Sequence, residues 1–216
     1  MNNMINLYNG DCLSFMKDMK DNQYDLAIVD PPYGLRRFNR KDGGTSRVFT
    51  FGDVDKNWNN EKPTKEYFDE LFRVSRNQII WGANNFELPP SEYFLCWNKE
   101  QPLPNFATLE YAWVSMGLKK PAKLFTYNIY KHQGEQKVQG KINPAQKPIA
   151  LYEWILMNYA KENDIILDTH LGSGSIAIAC HNLGFSLDGY EIDEKYYKLA
   201  LKRFTNYTKQ IRIDYD

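Results

Sequence analysis

Two short stretches of the chain carry residue types that could do chemistry together. The first is Asp30-Pro31-Pro32-Tyr33-Gly34, which directly follows the apolar run Asp25–Val29. Two consecutive prolines fix φ and stiffen the backbone, so the Asp30 carboxylate and the Pro31 carbonyl keep fixed directions. A carboxylate beside a carbonyl is a pair of acceptors, the complement of an exocyclic NH2 group, and Tyr33 adds a flat face on which a base can stack. The second stretch runs from Ile165 to Ser175 and contains Asp168-Thr169-His170-Leu171-Gly172-Ser173-Gly174-Ser175. It reads as a strand, a glycine turn and a helix start. Glycines at 172 and 174 let the backbone approach a ligand, and the helix start offers free N–H groups. Beyond the next strand, Glu191 stands where a carboxylate can accept from both ribose hydroxyls.

Gly172-x-Gly174-x-x-Ala177 also meets the loose dinucleotide fingerprint. Asp168, however, puts a carboxylate at the strand end, which would repel a pyrophosphate and suits a cation. A ligand with a ribose, an amino acid and a sulfonium fits better, and S-adenosylmethionine is that ligand.

The elements needed to position these residues are legible as alternating runs. Strands are expected at Ile5–Tyr8, Asp25–Val29, Gln78–Trp81, Tyr93–Trp97, Leu109–Met116, Lys123–Tyr127, Asp164–Asp168 and Ser186–Tyr190. Between them come helices from Cys12 to Lys20, from near Pro63-Thr64, after Pro144, at Ile176–Leu183 and at Glu194–Tyr207. In the helix after Pro144, Tyr152, Ile155, Leu156 and Tyr159 recur at i, i+3, i+4 and i+7. In the last helix, Tyr197, Ala200, Leu201 and Phe204 form the expected buried stripe. Strands separated by helices imply βαβ units and a mostly parallel α/β sheet.

With 216 residues, 43% hydrophobic and 25% charged, the chain reads as one globular domain. Cys12, Cys96 and Cys180 are widely spaced, which excludes a disulfide scaffold and fits a reducing compartment, the cytoplasm. No run is long and apolar enough to suggest a membrane span, and His132, His170 and His181 share no metal-ligand spacing, so neither a membrane nor a metal is expected. Formal net charge is zero, but its distribution is uneven. Residues 34–47 hold Arg36, Arg37, Arg40, Lys41 and Arg47 against Asp42 alone, and residues 99–147 hold eight lysines against three acids. Two basic segments on a neutral chain make a local footprint for a polyanion. The domain is accordingly read as 1–216, with a mobile basic loop at about 34–62 and a short target-recognition insertion at about 99–142.

These motifs resemble the amino-group DNA methyltransferases, which modify adenine N6 or cytosine N4. Asp30-Pro-Pro-Tyr33 with a strand–Gly-x-Gly turn is that family's signature. Asn9-Gly10-Asp11 is similar to its Gly-Asp element, and Asn143-Pro-Ala-Gln-Lys-Pro148 to its His-Pro-Thr-Gln-Lys-Pro element; Ile80-Trp-Gly-Ala-Asn84 and Glu110-Tyr-Ala-Trp113 look like weaker internal elements. The catalytic motif precedes the glycine turn, the order of the permuted β class. The resemblance implies a doubly wound, mostly parallel seven-stranded sheet with a reversed last strand and helices on both faces. It implies Asp30, Pro31, Pro32 and Tyr33 as the catalytic set. Asp11, Cys12, Asp30, Lys147, Asp168, His170, Gly172, Ser173, Gly174, Ser175 and Glu191 would be the S-adenosylmethionine set. The implied partners are double-stranded DNA, gripped by Arg36, Arg37, Arg40, Lys41 and Arg47, and a second copy of the chain. Asp rather than Ser before Pro-Pro-Tyr leans toward adenine, with N4-cytosine as the alternative. Thr169 and His170 stand where the family has Pro and Phe, and Asn143 where it has His. These departures keep open a second alternative, a methyltransferase-like subunit that binds nucleic acid without catalysis.

Overall fold

The computed structural model of the protein describes residues 3–34, 61–102, 104, 107–132, 142 and 146–213. The apolar runs form strands β1 (Ile5–Asn9), β2 (Tyr24–Val29), β3 (Ser75–Trp81), β4 (Phe94–Asn98), β5 (Leu109–Val114), β6 (Lys123–Thr126), β7 (Ile165–Asp168) and β8 (Ser186–Glu191). The amphipathic runs form helices α1 (Cys12–Lys17), α2 (Lys65–Val74), α3 (Ile149–Tyr159), α4 (Ser175–Leu183) and α5 (Glu194–Ile213). Two helix starts follow from single residues. The Asp11 carboxylate accepts from the Leu13 and Ser14 amides to open α1, and the Thr64 hydroxyl accepts from the Tyr67 amide to open α2.

The strands make one sheet in the order β1-β8-β7-β2-β3-β5-β4-β6. From β1 to β3 all neighbours are parallel, whereas β5 runs antiparallel to both β3 and β4. The expected seven strands are therefore eight, and the reversed strand is interior rather than last. The eighth, β6, adds parallel to β4 at the edge, where Phe125 packs on Trp154 of α3 with ring centroids 5.3 Å apart.

Helices cover both faces. On one face α3, α4 and α5 bury Leu151, Ile155, Leu156, Ile176, Ala179 and Ala200; on the other α1 and α2 bury Met16, Phe68, Leu71 and Val74. The stripe expected on α3 is buried as read. That on α5 is corrected: Tyr196, Ala200 and Arg203 are the buried positions and Leu201 is 39% exposed. The stripe is rotated because a guanidinium occupies a core-facing position that an apolar count passes over. No described helix is long and apolar enough to cross a membrane.

Chain connections diverge between β7 and β2. From β7 the chain crosses by α4 to β8 on one side, and from β2 by α2 to β3 on the other. A crevice forms at such a switch point, outside the carboxyl ends of the strands. Asp30 and His170 leave β2 and β7 at that point, because Ala27 pairs with Leu167 in parallel register.

Candidate active site

A cavity of about 270 Å³ opens there, lined by Asp30, Pro32, Lys147, His170, Gly172, Ser173 and Glu191, with Gln146, Tyr152, Leu171, Ile192, Asp193 and Tyr196 completing it. The structure thus brings the two chemistry-bearing stretches to one space. Of the other expected residues, Asp168 is buried just behind the turn, Gly174 and Ser175 begin α4, and Asp11 and Cys12 begin α1. None of these, nor Pro31 or Tyr33, is among the lining residues. Arg36, Arg37, Arg40, Lys41, Arg47 and Asn143 lie outside the described residues.

The turn after β7 is held from three directions. Gly172 and Gly174 have φ of +53° and +72°, and a Cβ at Gly174 would stand 3.3 Å from that of Ala200, so α5 packs directly on the turn. Arg203, 7% exposed, donates from one nitrogen to the Ser173 carbonyl at 2.9 Å and the Ser175 hydroxyl at 3.0 Å. The Gly172 amide donates to Oε2 of Glu191 at 2.8 Å, while the Asp193 amide donates to Oε1 at 3.0 Å. Both Glu191 oxygens are thereby oriented by backbone amides. Thr169 and His170 make a network of their own. The Thr169 hydroxyl lies 2.7 Å from the Tyr67 hydroxyl and 2.9 Å from His170 Nδ1, and the His170 ring stands edge-on to Tyr67 at 5.4 Å. Burial pulls His170 down to about 4, so its ring is neutral at pH 7. Burial pushes the Asp168 carboxyl up to about 8; the His170 amide, which donates to it at 3.0 Å, opposes that, and the Asp30 and Glu191 charges add to it. Burial likewise pushes the Cys12 thiol up to about 12, so it is not a thiolate near neutrality.

The wall at the end of β2 is built from charges. Tyr33 Oη donates to Asp30 Oδ1 at 2.7 Å, and Lys147 Nζ donates to Asp30 Oδ2. Lys147 also lies 3.2 Å from Glu110 Oε2, and Lys99 reaches Glu110 Oε1 at 2.5 Å. Lys147 is almost wholly buried, and its ammonium sits 5.2 Å from the ring centre of buried Trp81. Burial alone would lower Lys147, but the Asp30 and Glu110 charges outweigh it and hold the ammonium protonated. His132 Nε2–H donates to the Gln146 carbonyl at 2.7 Å and so fixes the segment leading into Lys147. Tyr33 rests on Gly82, where φ is +68° and a Cβ would fall 2.0 Å from Tyr33 Cε1. Only a glycine leaves room for that ring.

Sequence reasoning missed Glu110, Lys99, Gly82 and Arg203 as parts of this site. Glu110 and Gly82 lay within elements singled out for resemblance, so a signal existed; the partners that give them meaning are distant in the chain. Lys99 and Arg203 carried none. Among the described residues no group of three or more His, Cys, Asp or Glu could hold a metal.

Comparisons with known proteins place the chain among relatives. The chain is 27% identical to the type II methyltransferase M2.MboI of Moraxella bovis, covering 98% of this chain and 91% of that protein. It is 28% identical to the type II methyltransferase M2.DpnII of Streptococcus pneumoniae, covering 94% and 90%. Among solved structures, the M1.HpyAVI–SAM complex matches with a TM-score of 0.58 at 21% identity, over 93% of this chain and all of that one. The cytosine-N4-specific PvuII DNA methyltransferase matches at 0.62 and 14%, over 94% and 87%. At those identities the structural matches establish the fold. The N6/N4 family model described as DNA methylase matches residues 77–202, more than half of the chain, and the chain belongs to that family of amino-group DNA methyltransferases.

Proposed function

We propose that this chain methylates the exocyclic amino group of a base flipped out of double-stranded DNA, with adenine N6 as the favoured target and S-adenosylmethionine as the donor. The observation that carries the reading is that Asp30 and Pro32, at the end of β2, line the same cavity as Gly172, Ser173 and Glu191, at the ends of β7 and β8. Acceptors for amino hydrogens and a nucleoside cradle therefore open on one space.

The residues fit the donor. Glu191, with both oxygens oriented by amides, would accept the ribose hydroxyls, Gly172 lets the backbone come close, and Leu171, Ile192 and Tyr196 supply apolar walls. Asp11 and Cys12 at the start of α1 belong to the adenine end of this reading, and Lys147 and Asp168 to the sulfonium and amino-acid end. When bound, the cofactor supplies an electrophilic methyl group on a sulfonium. Asp30 and the Pro31 carbonyl accept the two amino hydrogens, which favours a pyramidal nitrogen with an available lone pair. Asp30 would stabilise the positive charge that the amino nitrogen gains as the S–CH3 bond gives way to N–CH3, with the sulfonium sulfur leaving as a neutral thioether and the extra nitrogen proton going to solvent. Tyr33 holds the base by stacking. Positioning and fixed charges supply the rate, with no covalent enzyme intermediate.

A base within a duplex cannot reach this cavity, so it is flipped, at a cost of a few kcal/mol. Arg36, Arg37, Arg40, Lys41 and Arg47 grip the neighbouring phosphates in this reading. Free Cys12, Cys96 and Cys180 fit a reducing cytoplasm. The test is incubation with labelled S-adenosylmethionine and unmethylated DNA, followed by nucleoside mass spectrometry. N6-methyladenine is expected; N4-methylcytosine would overturn the choice of base, and the absence of any methylated nucleoside would overturn the reading.

A further inference from the structure

The two oxygens of Asp30 are already engaged, one by the Tyr33 hydroxyl and the other by Lys147. An amino group arriving at Asp30 must share or displace the ammonium, and the positive charge that grows on its nitrogen is repelled by a lysine left in place. A buried ammonium cannot simply let go, because an uncompensated charge in that position is costly. It needs a second carboxylate within reach.

Glu110 is that carboxylate. Its Oε1 is held by Lys99, whereas its Oε2, sealed from solvent, has Lys147 Nζ as its ion-pair partner at 3.2 Å. A small rotation of the Lys147 side chain brings its ammonium fully onto this oxygen. Glu110 does not move to meet it: it sits on β5, paired on one side with β4, where it stands opposite Trp97. Lys99, stacked over Trp97 at 5.0 Å, pins its far oxygen. The other groups facing Lys147 are Tyr33, Tyr152, the Trp81 ring and Asp168, whose carboxyl burial pushes up to about 8, so that none is ordinarily an anion near neutrality. We propose that Glu110 is a positioning residue for methyl transfer, the second counterion onto which Lys147 shifts when the target amino group takes Asp30. This rests on the function proposed above.

Two experiments test it. In Glu110→Gln, Lys147 keeps Asp30 as its one ion-pair partner, with Asp168 largely protonated near neutrality. Single-turnover methylation at saturating cofactor should fall at least about 10-fold while the calorimetric Kd for S-adenosylmethionine stays within about twofold, and Glu110→Asp should recover part of the rate. A wild-type rate in Glu110→Gln, or a loss accounted for by cofactor affinity, overturns the proposal. The second experiment needs no activity. In a crystal structure of Asp30→Asn, Lys147 should have left residue 30 and be hydrogen-bonded to Glu110 Oε2; a lysine still on residue 30 overturns the proposal even if Glu110→Gln does not fold. A wild-type protein that methylates no DNA would sink the proposed function, while the Asp30→Asn structure would still decide the role of Glu110.

Discussion

The two walls of the cavity are built on different principles. The wall after β7 is backbone: glycines at positive φ, amides aimed at Glu191, and a guanidinium that grips a carbonyl from behind. The wall after β2 is the front of a row of alternating charges, Asp30 and Lys147 lining the cavity with Glu110 and Lys99 behind them, laid across three strand ends and the approach to α3. A backbone wall tolerates side-chain exchange, and Thr169 and His170 stand in it with hydrogen bonds of their own. A charge wall does not, because each member is the compensation for its neighbour.

The sharpest way to break that contrast is to remove Asp30. Asp30→Ala should lower methyl transfer by about 10³-fold, with S-adenosylmethionine affinity nearly retained because the backbone wall is intact; loss of both in a calorimetric and kinetic comparison would show the walls are not separable. Next comes Gly82→Ala, which forces the Tyr33 ring off its seat and puts a side chain at φ +68°. Turnover should drop by about 10²-fold, as for any misplacement of near 1 Å at a reacting centre, again with cofactor affinity kept. On the other wall, Arg203→Met removes the donor to the Ser173 carbonyl and Ser175 hydroxyl. Cofactor Kd should weaken by about 10-fold, worth roughly 1.4 kcal/mol, while the rate at saturation changes little. The smallest effect is on pH. Asp168 ionises at about 8 in the folded chain and near 3.8 when unfolded, so the folded state binds the extra proton between those values. Stability should therefore fall as pH rises from 4 to 8, and Asp168→Asn should flatten that part of the thermal-unfolding profile.

Much of this was legible in the residues. β2, β7 and the α3 stripe followed from apolar spacing, and the eight runs read as strands are the eight strands of the sheet, although family resemblance argued for seven. Asp30 and Gly172 could be assigned to one site because both follow buried strands. The charge wall could not be read the same way. Glu110 and Lys147 are 37 positions apart and meet only because β5 is reversed between β3 and β4, a pairing that local patterns do not encode. Arg203 escaped for the opposite reason: a guanidinium on a helix is ordinarily solvated, and its burial makes sense only beneath a turn whose carbonyl needs a donor.

The crevice arises from chain connections that part in opposite directions at β7 and β2, and the described residues alone enclose it. On the function proposed above, the donor cradle is therefore formed before a duplex arrives. An enzyme with that order of events would search DNA already loaded, its methyl group in place before any base arrives.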